Sequence, residues 1–397
     1  MVLPIMRLKA RREKDIIRGH PWIFSGAIQA PLPQVPRGGL VDVYAIDNSF
    51  LGRGYYNAET DIAIRILTMN QDEPIDLDFF KKRIRGAMKL RESLERHQQT
   101  NAYRLIHSEG DLLPGFIADK YADYLSVQFS TAGADALQGL FIEALVAEMQ
   151  PKGIFARNDI FGRTREGLER EFPHALWGET PDFVDIQEHG ATIRVDIQKG
   201  QKTGFFLDQR DKRGLIGQLA QGKSVLNMFS YTGGFGVMAA LNHARKITSV
   251  DQSGPAIAMA KDIMELNGFD PQHSQFIVGD AFTEMDRMIA GGEKFDIVIL
   301  DPPAFAKSMK DKPQALRAYK KLNKLGLDLT AENGVLLTCS CSGPITLEEF
   351  RETVIDAGVK ANKTPLRIFQ EMEHGIDHPV LLAMPESRYL KALFCAV

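Results

Sequence analysis

Near the N-terminus, apolar and polar residues alternate with a period of two in short runs. Val41, Val43 and Ala45 share one side of residues 40–47, and Ile62, Ile64 and Ile66 are in phase over 62–69. Between them, residues 50–56 are broken by Gly52 and Gly54. Half-buried strands give this alternation, and Gly/Pro/Asn clusters turn the chain between them. Residues 1–75 therefore read as a compact β-barrel, entered through a loop holding Pro31, Pro33, Pro36, Gly38 and Gly39.

The pattern then mixes. A basic helix is predicted over 78–97, strands over 103–107, 124–129 and 153–157, and a helix over 134–149. Hairpins are predicted across 119–123 and over 183–197, the second turning at His189-Gly190. Residues 76–195 thus form a central α+β domain. From about residue 196 the rhythm becomes regular. Strands are predicted at 224–229, 247–251, 276–280, 295–301 and 334–342, and helices at 234–244, 254–266, 281–290 and 312–330. Such alternation builds a doubly wound, Rossmann-like parallel sheet over 196–397.

Composition narrows the class. The 397 residues are 44% hydrophobic and 25% charged, as in an ordinary soluble globular protein. No apolar run reaches the ~18 residues of a membrane span, and no secretory leader is legible, so a cytoplasmic, non-membrane protein is expected. Three cysteines, at 339, 341 and 395, are too few for a disulfide framework or a four-cysteine zinc site; no metal is expected. The net charge of −3 decides little, but its distribution adds something. Basic islands lie at 1–38, 81–96 and 301–325, each with seven Lys/Arg against two acids, and such islands suit a phosphate backbone. Taken singly, each also suits a solvated helix face.

In an open parallel sheet, ligands sit at the carboxyl ends of the strands. The first predicted strand runs into Ser230-Tyr231-Thr232-Gly233-Gly234-Phe235-Gly236, where glycines allow close backbone approach and the following helix offers free N–H groups. The next three strands end in Asp251, Asp280 and Asp301, and the fifth ends in Cys339-Ser340-Cys341-Ser342. A single terminal Asp is commonly a helix N-cap. Three in succession suit a nucleoside-containing cofactor, with Asp251 on the ribose diol and Asp280 on the adenine amino group.

The segments Gln201–Arg210 (QKTGFFLDQR), Phe229–Phe235 (FSYTGGF), Asp301–Phe305 (DPPAF) and Ser340–Ser342 (SCS) together resemble the RlmI-type 23S ribosomal RNA (cytosine-5) methyltransferases, a class I S-adenosylmethionine-dependent family. His20–Gly26 (HPWIFSG) is similar to that family's N-terminal RNA-binding PUA domain, and Ser108–Asp111 with Leu113–Gly115 is similar to its central domain. The resemblance implies S-adenosylmethionine as cofactor, large-subunit ribosomal RNA as partner, and methylation at cytosine C5. It implies a cofactor site of Phe229, Ser230, Tyr231, Gly233, Asp251, Asp280, Ala281 and Asp301. Asn227 stands where such sequences often carry Asp. Monomer and homodimer both stay open.

The chemistry sets its own requirement. Cytosine C5 attacks a sulfonium methyl only after a thiolate adds at C6, and an acid at N3 stabilises the electron-rich adduct. One cysteine and one carboxyl at adjacent strand ends are needed. Cys341 is the expected nucleophile because it lies nearer the strand terminus and the Gly343-Pro344 break; Asp301 is its partner. Cys339 and Cys395 are expected to be packed. Two-cysteine relatives carry a second Cys after the strand-four Asp, but this chain has Asp301-Pro302-Pro303-Ala304, so the base for the C5 proton has no candidate. Phe305 is a candidate for stacking on a flipped base, Lys307 for a phosphate, and Lys202, Phe206 and Arg210 for substrate positioning. Trp22 is expected in the barrel core.

Three rival functions fit parts of the pattern. Asp-Pro-Pro-x-Phe also resembles the motif of methyltransferases that modify an exocyclic amino group of an RNA base. Gly234–Ala239 fits a loose dinucleotide fingerprint and keeps an NAD-dependent oxidoreductase open. The barrel and basic islands alone would suit a non-catalytic RNA-binding protein.

Overall fold

The computed structural model describes residues 2–97 and 100–397. They fold into two compact units. The first runs to Ile186 and also takes in Val195–Leu207 and Ile376–Ser387; the second comprises Gln187–Arg194, Asp208–Gly375 and Arg388–Val397.

The first unit holds two five-stranded sheets. The N-terminal sheet has the spatial order Ile5–Arg7, Leu40–Tyr44, Phe50–Tyr56, Ile62–Thr68, Trp22–Phe24. The alternation resolves as expected: Val41, Val43 and Ala45 point into one core with Met6, Ile23, Ile64 and Ile66. Gly54 has a steric reason, since a Cβ there would lie 2.0 Å from the Arg65 carbonyl oxygen of the neighbouring strand. Trp22 is half-buried rather than sunk in that core, and its indole Nε1 donates to Glu109 at 2.9 Å.

The second sheet of this unit orders His174–Gly178, Gly153–Ala156, Tyr124–Phe129, Phe116–Tyr121 and Ala102–His107. Helices Leu77–His97 and Gln138–Met149 bring Phe80 and Phe141 against Phe116 and Phe129, largely edge to face. The helix expected over 134–149 is broken at Leu137 into Ala132–Ala136 and Gln138–Met149.

The second unit is built on a seven-stranded sheet. Its order is Gln275–Val278, Lys246–Asp251, Ser224–Met228, Phe295–Leu300, Thr330–Ser340, Lys391–Ala396, Arg367–Met372. The first five strands are parallel, and Lys391–Ala396 runs antiparallel to both of its neighbours. One face carries Leu226, Met228, Val298, Leu300 and Leu336 into a core with Tyr319, Leu322 and Phe350. The predicted helices appear as Gly234–Leu241, Gly254–Leu266, Ala281–Ala290 and Lys312–Leu329. Three further elements lie outside the predicted set: helices Arg210–Leu219 and Leu347–Lys360 and strand Arg367–Met372. The first hides its apolar period because Arg210, Lys212 and Arg213 are themselves buried on it. The strand is exposed along most of its length and shows no alternation. Among the described residues, no helix is long and apolar enough to cross a membrane.

Candidate active site

The sheet register brings two of the predicted catalytic segments side by side. Leu300 pairs with Thr338, which sets Asp301 level with Cys339 and one residue before the start of the Ser340-Cys341-Ser342 turn. The Cys341 thiol donates to the Pro302 carbonyl oxygen at 3.8 Å, so the nucleophile candidate lies directly over the Asp-Pro-Pro segment. Cys341 is half-buried, whereas Cys339 and Cys395 are sealed. Burial, with Asp301 adding to it, pushes the Cys339 thiol well above its ordinary range, and burial alone raises Cys395 to about 12. Neither supplies thiolate near neutrality.

Ser342 pins the turn. Its hydroxyl accepts from the Ala306 backbone N–H at 3.1 Å and is 3.0 Å from the Tyr319 hydroxyl. Its carbonyl accepts from Lys391 Nζ at 2.8 Å. These contacts fix the backbone immediately after Cys341, which gives the second serine of the Ser-Cys-Ser triplet a structural role. Burial raises the Tyr319 hydroxyl to about 12, so it stays a neutral hydrogen-bonding group. Phe305 packs on Tyr319 with ring centroids 4.6 Å apart and leans on the core, so its ring is committed in part to packing.

Asp301 is held from the opposite side. Gln209 Nε2 donates to its Oδ1 at 2.8 Å. Lys212, one helical turn on, is fully buried and donates to the carbonyls of Asp208 at 2.9 Å and Glu373. Burial depresses its ammonium, against which the nearby Cys339, Asp208, Asp211 and Asp301 act. Gln209, Lys212, Tyr319 and Lys391 are the residues sequence reasoning missed. The Gln201–Arg210 motif includes Gln209 and stops two residues short of Lys212. Nothing in the local sequence pointed to Lys391, whose strand reaches the turn only through antiparallel pairing with Ser340.

The cofactor-side residues assemble at the end of Ser224–Met228. The loop backbone takes left-handed conformations at Phe229 (φ 58°), Tyr231 (φ 48°) and Gly233 (φ 80°). Alternating left-handed residues turn successive N–H groups toward a common point, a geometry that suits an anion. At Gly233 a Cβ would lie 2.9 Å from the Ala260 Cβ, so only glycine fits both the conformation and the space. Asp251 accepts the Tyr231 N–H at 2.8 Å and the Ser253 N–H at 2.9 Å, which fixes its carboxylate at the strand end. Asp280 does not end a strand: Gln275–Val278 stops two residues earlier. It caps the helix Ala281–Ala290 through Thr283, and those hydrogen bonds lower its carboxyl below the usual range. Ala281 is buried in that helix's first turn.

Buried polar atoms without a protein partner mark where a ligand would be satisfied. Both side-chain atoms of Asn227 and the hydroxyls of Ser230 and Thr232 are such atoms. They cluster at the glycine-rich turn and fit the amino and carboxylate groups of an amino-acid moiety.

Lys202 and Phe206 belong to the first unit, where the Lys202 ammonium lies 4.5 Å over the Phe206 ring. Arg210 is fully buried, with its Nε 3.6 Å from Asp211. Lys307 is exposed. The basic run after it is largely paired: Lys312 with Glu349, Lys320 with Asp356 and Lys324 with Asp328, while Lys321 lies over the Phe282 ring.

Known proteins fit this geometry. Residues 126–358 match the family described as S-adenosylmethionine-dependent methyltransferase, and residues 6–69 match a PUA-like domain. Ribosomal RNA large subunit methyltransferase I of Aeromonas salmonicida is 42% identical over 383 residues, covering 96% of each chain. Its namesake from Pseudoalteromonas atlantica is 41% identical over 387 residues, 97% of each. A solved methyltransferase complexed with SAH superposes over the whole of both chains with a TM-score of 0.85 at 25% identity. The chain therefore belongs to the family of S-adenosylmethionine-dependent methyltransferases whose curated members are named ribosomal RNA large subunit methyltransferase I.

Proposed function

We propose that this protein methylates C5 of a cytosine in large-subunit ribosomal RNA through a covalent adduct on Cys341. The observation that carries the reading is the contrast among the three cysteines. One is half-buried at a strand end over the Asp301-Pro302 segment, and two are sealed in the core. A thiol that only packed would have no reason to be the open one.

Bound S-adenosylmethionine supplies an electrophilic methyl on its sulfonium and leaves as the neutral thioether. Asn227, Ser230, Thr232 and the Phe229–Gly233 backbone would hold its amino-acid end, Asp251 its ribose and the Asp280–Ala281 turn its base. The Cys341 thiolate adds to C6, and the π electrons of the C5–C6 bond become available at C5. Asp301, as the carboxylic acid, faces N3 and donates a hydrogen bond that stabilises the negative charge developing there; Gln209 fixes the carboxyl group for that contact. After C5 is alkylated, its proton passes to solvent water, the C5–C6 double bond reforms, and the C6–S bond breaks to return the thiolate. The PUA-like domain and the exposed Lys307 support an RNA partner.

The test has two parts. Mass spectrometry of ribosomal RNA from cells lacking the protein should show one missing 5-methylcytosine. RNA carrying 5-fluorocytosine should trap wild type as a covalent complex and leave Cys341→Ala unbound. Unimpaired turnover by Cys341→Ala would sink the adduct and favour methylation of an exocyclic amino group.

A further inference from the structure

The nucleophile's turn is backed by a buried cation that the mechanism above does not use. Lys391 is the first residue of the Lys391–Ala396 strand and only 6% exposed. It pairs with Ser340 in the sheet, and its Nζ donates to the carbonyl of Ser342. The chain therefore brings an ammonium to the residue after Cys341 while its backbone lies across from the residue before. No carboxylate forms an ion pair with it among the described residues, and the charged groups that act on it are Cys341, Glu373 and Glu349. Of these Cys341 acts most strongly, and burial holds the ammonium down at about 8. Sealing a lysine at a strand end costs free energy unless a negative group shares the site. A surface lysine would meet the packing need at lower cost, and a methionine would fill the same space without charge.

We propose that Lys391 is a positioning residue for Cys341: its buried ammonium, fixed on the Ser342 carbonyl, favours the thiolate of the nucleophile. The inference rests on the reading of Cys341 as nucleophile for its catalytic meaning, but the coupling itself is a property of the free protein. A cation beside a thiol stabilises the ionised form, and the thiolate is the reactive species. After C6–S cleavage the same charge stabilises the departing sulfur, so it serves both ends of the covalent cycle. No proton needs to leave Lys391 for either.

The test measures Cys341 chemistry without RNA. Full-length wild type, Lys391→Gln, Lys391→Met and Lys391→Arg are alkylated with iodoacetamide across pH 6–10, and the Cys341 peptide is followed by mass spectrometry. Wild-type Cys341 should show an inflection below the ~8.5 of a free thiol. At pH 7 the Gln and Met variants should react at least fivefold more slowly, with the inflection moved up, and the Arg variant should stay within about twofold. Lys391→Gln keeps a donor for the Ser342 carbonyl, so a wild-type rate in Gln with a slow rate in Met would assign the effect to the hydrogen bond and overturn the proposal. Equal rates in all four proteins would overturn it too. Should the uncharged variants fail to fold, the wild-type profile decides alone: an inflection at or above ~8.5 refutes the coupling. A slowed Lys391→Gln alkylation beside an absent 5-fluorocytosine adduct would keep the Lys391–Cys341 coupling and remove only the cytosine reading.

Discussion

Gln209 and Asp301 share one hydrogen bond, Nε2 to Oδ1 at 2.8 Å, across 92 residues of sequence. It ties the N-cap residue of the Arg210–Leu219 helix to the Asp-Pro-Pro segment, and it orients the carboxyl group at the strand end. Gln209 makes no partner for its own Oε1, which is buried. A donor held at such a cost is a positioning group. Gln209→Glu places a second acid against Asp301 and should reduce kcat by roughly 10²-fold or more, the scale of losing a preorganised hydrogen-bond donor. Gln209→Ala should lose somewhat less, because water can replace the donor. Single-turnover methyl transfer checks both; cofactor affinity, measured by calorimetry, should change little.

The cysteine pair separates role from packing. Cys341→Ala should abolish methyl transfer while leaving S-adenosylmethionine binding intact. Cys339→Ala removes one buried sulfur beside Asp301 and Lys212 and should keep measurable transfer, with stability lowered by ~1 kcal/mol for the small cavity. Isothermal titration and radiolabelled methyl incorporation distinguish them. If Cys339→Ala were the inactive variant and Cys341→Ala the active one, the assignment of nucleophile would be reversed.

The sheet was legible because its strands carry the doubly wound signature in order: apolar runs of the right length, with helices between. Helix 254–266 falls at the predicted residues, and its start carries a Ser253 cap and Pro255 in the first turn, signals visible as residue types. The Asp280 reading shows the limit. Its residue type fits a ligand contact and an N-cap equally well, and the cap is what the structure shows. The Arg210–Leu219 helix was illegible for a related reason: it buries charged side chains, so hydropathy has no period to report. Lys391 could not be read at all, since a lysine near a terminus gives no hint that antiparallel pairing will carry it behind Ser340. What the residue pattern conveys is chemistry at strand ends; which side chain backs another across the sheet is a matter of register.

Gly233 is the sharpest steric requirement at the cofactor turn. Its φ of 80° disfavours any side chain by ~1–2 kcal/mol, and the added Cβ would press on Ala260 Cβ at 2.9 Å. Gly233→Ala should therefore lower stability by roughly 2 kcal/mol and weaken S-adenosylmethionine binding at least tenfold through displacement of the Tyr231 and Thr232 backbone. Thermal unfolding with and without the cofactor gives both quantities. A variant that binds normally would mean that this turn does not hold the cofactor.

Lys391 sets a stability signature in alkaline solution. Its ammonium falls from an ordinary 10.5 to about 8 on folding, with burial the foremost cause. Below pH 8 it is protonated in both states, and the folded state carries the full penalty of a buried charge. Between about 8 and 10.5 the unfolded chain still binds the proton that the folded chain has lost, so stability rises with pH through this window. Above 10.5 both forms are neutral and the penalty is gone. Lys391→Met should therefore be more stable than wild type at pH 7, by about 1–2 kcal/mol after solvent screening, and the advantage should shrink toward zero by pH 10. Differential scanning calorimetry of the pair at pH 7, 8.5 and 10 tests it, with the difference between the two proteins cancelling every other titrating group. An advantage that stayed constant across the three pH values would show that Lys391 does not titrate in this range. Stability and reactivity would then move in opposite directions at neutral pH: the substitution that firms the fold should slow the nucleophile, which is what a charge retained for chemistry predicts.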